Sequence, residues 1–214
     1  MIEATRVFAL RHGQTAWNAE LRLQGQLDVA LDDTGRRQAR QLAAALAGEE
    51  LAAIYSSDLA RACSTAAPLA QARGLRVMTE VSLRERGFGR LEGLTYVEVE
   101  LHWPDDALRW RRREPDFGPC GGETLSAFYA RSLGAVTRLA AAHPGQAIAV
   151  VAHGGVLDCL YRAASGIELG AARTWQLANA SINRLLFNGS HFVVVGWDDR
   201  AHLESTASDA VDGA

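Results

Sequence analysis

The chain has 214 residues, 48% of them hydrophobic and 22% charged, with a formal net charge of −3. That composition excludes a mainly disordered chain and suits one α/β domain with a packed core. The slight acidity excludes general attraction to nucleic acid or to an acidic membrane surface, so any anion site must be local.

The first residues hold no long apolar stretch, and residues 7–10 are too few for a signal peptide or a membrane span. Cys63, Cys120 and Cys159 are an odd number at scattered spacings. They predict free, structural thiols in a reducing cytoplasm, with no metal or disulfide pattern.

Residues 7–10 form a short apolar strand that stops at Arg11-His12-Gly13. Thr34 can N-cap a helix through Leu46, with Ala39, Leu42, Ala43 and Leu46 on its buried face and Gly48 at its end. Residues 53–56 are a second strand. Ser57 or Asp58 can then cap a helix that carries Arg61 in its first turn, and Pro68 should kink or restart that helix. Residues 76–79 are a third strand.

Residues 94–124 predict a lid, with Trp103, Pro104, Trp110, Pro115 and Pro119 in it. Its Arg111-Arg112-Arg113 run is either a solvated helix face or a basic gate. Residues 123–142 form a long amphipathic helix that ends before Pro144-Gly145. Residues 147–152 are an unbroken apolar run, as expected of a strand covered on both faces. It stops at His153-Gly154-Gly155, and a helix follows to about residue 164. Residues 182–187 and 191–196, around Asn188-Gly189-Ser190, read as a closing hairpin whose edge offers a surface for a homodimer. The small, polar residues 204–214 predict a flexible tail beyond a single domain over residues 1–203. The order implies an α/β fold: a mostly parallel sheet with helices on both faces and one or two antiparallel edge strands.

Two strands end alike, in Arg11-His12-Gly13 and in His153-Gly154-Gly155. Ligands in open α/β sheets bind outside the carboxyl ends of strands, and glycine lets the backbone come close to them. Arg61 reaches the same edge. Two histidines and two arginines there make a local site for a dianion such as a phosphate monoester.

At these residues the chain resembles the histidine phosphatase superfamily, the phosphoglycerate-mutase-like proteins. The resemblance runs in order through Leu10-Arg11-His12-Gly13-Gln14-Thr15, Leu23-Gln24-Gly25-Gln26, Ser56-Ser57-Asp58-Leu59-Ala60-Arg61 and Leu83-Arg84-Glu85. It continues through Phe88-Gly89-Arg90-Leu91-Glu92-Gly93, Gly121-Gly122-Glu123-Thr124 and Ala152-His153-Gly154-Gly155, across about residues 5–195. It implies a mostly parallel six-stranded sheet flanked by helices. By position it makes His12 the nucleophile that becomes a phosphohistidine, and Glu85 the general acid and base. Arg11, Arg61 and His153 would surround the phosphoryl group, and Asn18, Gln24, Gly25 and Gly154 would line the pocket.

Phosphoryl transfer needs positioning and charge stabilisation more than covalent chemistry from the protein. Two arginine forks and a protonated His153 would supply that without a metal or other cofactor, and no carboxylate cluster suggests one. His12 must attack as a neutral imidazole, its other ring N–H held by a backbone carbonyl and its pKa lowered by the arginines. The lid is shorter than in cofactor-dependent phosphoglycerate mutases of the family and lacks their Arg-Arg-Ser-Tyr type segment. Cys120 replaces a proline common in the phosphatase branch. The resemblance therefore implies a phosphomonoester hydrolase acting on a small phosphorylated metabolite. The alternatives are a cofactor-dependent phosphoglycerate mutase, and a phospho-ligand binding module with little turnover.

Overall fold

The structure is a computed structural model and describes residues 3–204. In chain order the elements are β1 (Thr5–Arg11), α1 (Ala16–Ala19), α2 (Asp33–Ala45), β2 (Ala53–Ser56), α3 (Ala60–Gln71) and β3 (Val77–Thr79). Then come α4 (Tyr96–His102), α5 (Pro104–Arg111), α6 (Leu125–Ala141), β4 (Ala147–Ala152), α7 (Gly154–Ser165), β5 (Ile182–Phe187), β6 (Phe192–Asp199) and α8 (Ala201–Glu204). The tail expected at 204–214 lies outside the described residues except for Glu204, which closes α8.

The strands form one sheet in the order β3-β2-β4-β1-β5-β6. β1 to β4 are mutually parallel, and β5 alone runs against the other five. Alternation along the two central strands makes the two cores. Val7, Ala9, Ile148, Val150 and Ala152 pack under α6 and α7, while Phe8, Leu10, Ala147, Ala149 and Val151 pack under α2 and α3. All six residues of β4 are buried, as its apolar run predicts. A third, smaller core of Leu23, Leu91, Val99 and Ala107 is built around helices α4 and α5.

This topology positions the site. From β1 the chain passes to α2 on one face, and from β4 it passes to α7 on the other. β1 and β4 are neighbours in register, Arg11 opposite Ala152. The crevice between diverging helices therefore opens above His12 and His153.

Three local expectations change. Asp32, not Thr34, caps α2, accepting from the Gly35 N–H at 2.7 Å. Both residue types cap well, and the chain turns at Asp32. Neither Ser57 nor Asp58 makes the side-chain cap of α3. Asp58 is taken by Arg84 through two bonds of 2.7 and 2.6 Å, and Asp28 from a distant loop accepts from the Ala60 N–H at 2.7 Å. Pro68 does not end α3, which continues to Gln71. Proline inside a helix costs about 3 kcal/mol, and burial of Ala62, Ala66, Leu69 and Ala70 against the sheet offsets that cost.

Asp28 thus caps the helix that carries Arg61. Asp28→Ala should lower stability by about 1 kcal/mol, the usual cost of a lost cap, read as a shift in the urea midpoint at unchanged slope.

Candidate active site

β1 delivers Arg11 and His12, the start of α3 delivers Arg61, and the end of β4 delivers His153. His12 is buried, and Arg61 and His153 wholly so. The His12 and His153 rings lie 5.2 Å apart. The His12 Nδ1–H donates to the carbonyl of Gly13 at 2.7 Å, so the lone pair sits on Nε2. Its own backbone is pinned, its N–H on Ala152 at 3.0 Å and its carbonyl taking the side chain of Asn179 at 3.0 Å.

Arg61 is the hub of the floor. It donates to the carbonyls of Leu27 at 2.8 Å and Gly25 at 2.7 Å, and its Nε to Nδ1 of His153 at 3.3 Å. Burial lowers its pKa to about 10, so it stays charged at neutral pH. Arg11 donates to the carbonyl of Leu177 and leaves its Nε buried without a partner among the described residues. His153 Nε2 and Gln24 Oε1 are orphaned in the same way. Buried polar groups without partners are costly, and these three all belong to residues the sequence assigns to the phosphate site.

His153 departs from expectation. Because its Nδ1 accepts from Arg61, the ring is neutral with its proton on Nε2. Burial lowers its pKa well below the ordinary 6.5, with Arg61, His12 and Arg11 adding repulsion. Its Nε2 thus carries the N–H of a neutral ring and not of an imidazolium. His12 is lowered likewise, by burial first and then by Arg11 and Arg61.

Glu85 faces this floor from the loop after β3. Its carboxylate accepts from the N–H of Gly155 at 3.0 Å and of Arg86 at 2.8 Å. A Cβ at Gly155 would stand 2.2 Å from Glu85 Oε1, which explains a glycine there. Gly25 has φ +51°, and a Cβ would collide with Glu92 at 2.0 Å. Asn18 lines the pocket, but its Oδ1 is used by the Thr15 N–H at 3.1 Å and by Asn179 at 3.2 Å. Gly154 lines it as the first residue of α7.

These residues, except His153, which is wholly buried and does not line it, enclose a cavity of about 450 Å³, walled by Trp17, Phe88, Tyr96 and Trp110 and by further arginines. The Arg111 to Arg113 run divides. Arg111 is exposed and pairs with Glu100 at 2.7 Å, and Arg112 is exposed. Arg113 turns inward, its NH2 2.7 Å from Asp158. Sequence reading passed over Asn179 and Arg173, which come from an irregular segment with no pattern to mark them. Among the described residues no group of three or more His, Cys, Asp or Glu could hold a metal ion.

The histidine phosphatase superfamily (branch 1) matches residues 7–200, and the chain belongs to that family. It is 40% identical over 210 residues to phosphoglycerate mutase-like protein 4 of Arabidopsis thaliana, covering 96% of this chain and 90% of that one. It is 35% identical over 206 residues to a metal-independent phosphoserine phosphatase of the same plant, covering 95% and 85%. The solved structure of a mycobacterial glucosyl-3-phosphoglycerate phosphatase complexed with VO3 matches with a TM-score of 0.81 at 33% identity, covering 91% and 99%. The protein is an enzyme of the histidine phosphatase type.

Both site histidines are neutral when folded and titrate near 6.5 when unfolded. Above pH 6.5 neither state binds the protons, and stability is complete. Below it the unfolded chain binds protons that the folded chain refuses, so stability falls as pH drops toward the folded values. The loss should approach about 1.4 kcal/mol per pH unit per histidine. Denaturation midpoints from pH 7 to 5 should fall accordingly, and His153→Gln should flatten the slope. A flat wild-type profile would contradict the neutral pair.

Proposed function

We propose that the protein hydrolyses small phosphomonoesters by passing the phosphoryl group first to His12 and then to water. The observation that carries this reading is the pinned, neutral His12, its Nδ1 held by Gly13 and its Nε2 unprotonated, which lines the cavity together with Arg11 and Arg61. Nε2 attacks phosphorus and the ester P–O bond breaks. Glu85 gives its proton to the leaving alkoxide. Water then attacks the phosphohistidine, Glu85 takes a proton from it, and inorganic phosphate leaves with His12 restored.

Arg11, Arg61 and the Nε2–H of His153 face the equatorial oxygens, where charge accumulates. Gln24 and the side-chain amide of Asn18 add donors, Gly25 shapes the loop that receives Arg61, and Gly154 opens the start of α7 to the phosphate. No step calls for a metal. Three free thiols suit a reducing, cytoplasmic compartment, and no helix among the described residues is long and apolar enough to cross a membrane.

Hydrolysis is favoured over the mutase outcome by access. A mutase must hold its phosphorylated intermediate away from water. Here the cover is two short helices, with Leu21 70% and Tyr96 58% exposed at the cavity. Of the lid's arginines only Arg113 lines the cavity, and Asp158 already pairs with it.

The cavity also suggests a substrate class. Of its arginines, Arg173 alone makes no hydrogen bond or ion pair among the described residues. We assign it the second anionic group of the substrate. Two of the related phosphatases are named for phosphoserine and glucosyl-3-phosphoglycerate, compounds that both carry a carboxylate.

His12→Ala should lower turnover at least about a thousandfold, with phosphorus NMR of 3-phosphoglycerate and the wild-type enzyme showing inorganic phosphate and no 2-phosphoglycerate. Formation of 2-phosphoglycerate without phosphate release would establish the mutase instead. Arg173→Ala should raise KM roughly tenfold for 3-phosphoglycerate, the effect of losing one charge-assisted contact, and leave glycerol 3-phosphate unchanged. Equal effects on this pair would remove the carboxylate assignment.

A further inference from the structure

Glu85 sits in no regular element. It follows a 3₁₀ turn (Val81–Leu83) and precedes another (Gly89–Leu91). An acid–base carboxylate must be placed within hydrogen-bond reach of the leaving oxygen, so the backbone that carries it needs external support. That support converges on one side chain. Arg131, in the second turn of α6, donates from NH1 to the carbonyls of Ser82 and Arg84, both at 3.0 Å, and from NH2 to the carbonyl of Glu85 at 3.3 Å.

Arg131 also makes a fork with Glu123, Nε to Oε1 at 2.8 Å and NH2 to Oε2 at 2.7 Å. Glu123 extends the clamp past Glu85. Its Oε2 accepts from the Gly87 N–H at 2.8 Å, and its own N–H donates to the Gly87 carbonyl at 2.8 Å. Burial alone would raise the Glu123 carboxyl, but the bonds from Arg131 and Gly87 outweigh it and hold the group below its ordinary value. Gln26 closes the ring, donating to the Glu85 carbonyl at 3.2 Å. One turn before Arg131, Phe128 lies under its guanidinium at 5.2 Å and lines the cavity beside Gly155, whose N–H holds Glu85.

We infer that Arg131 and Glu123 are positioning residues that fix the Glu85 carboxylate over the leaving oxygen, so that they control leaving-group protonation and not phosphoryl binding. The inference rests on the acid–base reading of Glu85. Neither residue lines the cavity, and the phosphate donors Arg11, Arg61 and His153 make no hydrogen bond to either. Glu123 is the penultimate residue of the expected lid (94–124), so the same pair ties the end of that segment to the Glu85 loop.

The test compares two esters by kcat/KM, which reports the steps through transfer to His12. Glycerol 3-phosphate needs protonation of its leaving oxygen, whereas nitrophenolate leaves without it. Arg131→Gln should lower kcat/KM for glycerol 3-phosphate about a hundredfold, the lower range of acid–base help. For nitrophenyl phosphate the change should stay within about threefold, the selectivity also expected of Glu85→Gln. Arg131→Lys should recover part of the loss, and Glu123→Gln should reproduce its direction and decide the matter if Arg131→Gln does not fold. Equal losses on both esters, or none on either, beside a selective Glu85→Gln would overturn the clamp alone. A Glu85→Gln variant that is itself unselective would overturn the acid–base reading, and the clamp with it.

Discussion

Two guanidinium groups and two imidazoles share one buried floor, and they can do so only because both imidazoles are neutral. Four like charges at such spacing would repel strongly in a low-dielectric site. The protein resolves this by hydrogen-bond direction. His12 gives its Nδ1 proton to Gly13, and His153 receives one at Nδ1 from Arg61. The first bond leaves a lone pair on Nε2 of His12, the second leaves a donor on Nε2 of His153. In the proposed mechanism a nucleophile and a phosphate donor thus arise from the same residue type, with ring centres 5.2 Å apart.

Arg61 connects this floor to the rest of the fold. Its carbonyl accepts from Thr65 at 2.7 Å, and the same Thr65 hydroxyl accepts from the Gly13 N–H at 2.9 Å. One short path therefore links α3 to the turn that pins His12. The guanidinium meanwhile holds the loop at Gly25 and Leu27, and Asp28 in that loop caps α3. Loop and helix support each other, so the charge at Arg61 also organises the chain around the site.

What the sequence revealed follows from where the information lies. β4 was legible because six consecutive buried residues leave a continuous apolar run, and β1 because its apolar core stops at Arg11-His12-Gly13. The paired strand ends pointed to one edge of the sheet, where His12 and His153 lie with ring centres 5.2 Å apart. α1 escaped notice since four residues with no buried member carry no periodicity. The protonation of His153 could not be read either, as it depends on which neighbour donates to it across 92 positions of chain. The support of Glu85 is hidden for the same reason. Arg131 lies 46 residues from it, and on a helical wheel an arginine that clamps a loop looks like one that faces water.

The division of labour on the two sides of the phosphoryl group has a structural cause. In the proposed mechanism the phosphate donors Arg11, Arg61 and His153 issue from β1, the start of α3 and the end of β4, where burial and sheet hydrogen bonds leave little freedom. Glu85, the proposed acid and base, comes from a loop between two 3₁₀ turns, held by the side chains of Arg131 and Glu123. A rigid floor suits a group that every substrate shares, the phosphoryl dianion. The leaving groups differ among substrates, and on this reading the carboxylate that meets them is carried outside the sheet, on a loop held by side-chain hydrogen bonds. The wall that meets the variable part, from Trp17, Tyr96 and Trp110 to Arg173, likewise lies outside the sheet. The proposed mechanism thus separates substrate choice, carried by loops and helices outside the sheet, from the neutral histidine pair at the ends of β1 and β4.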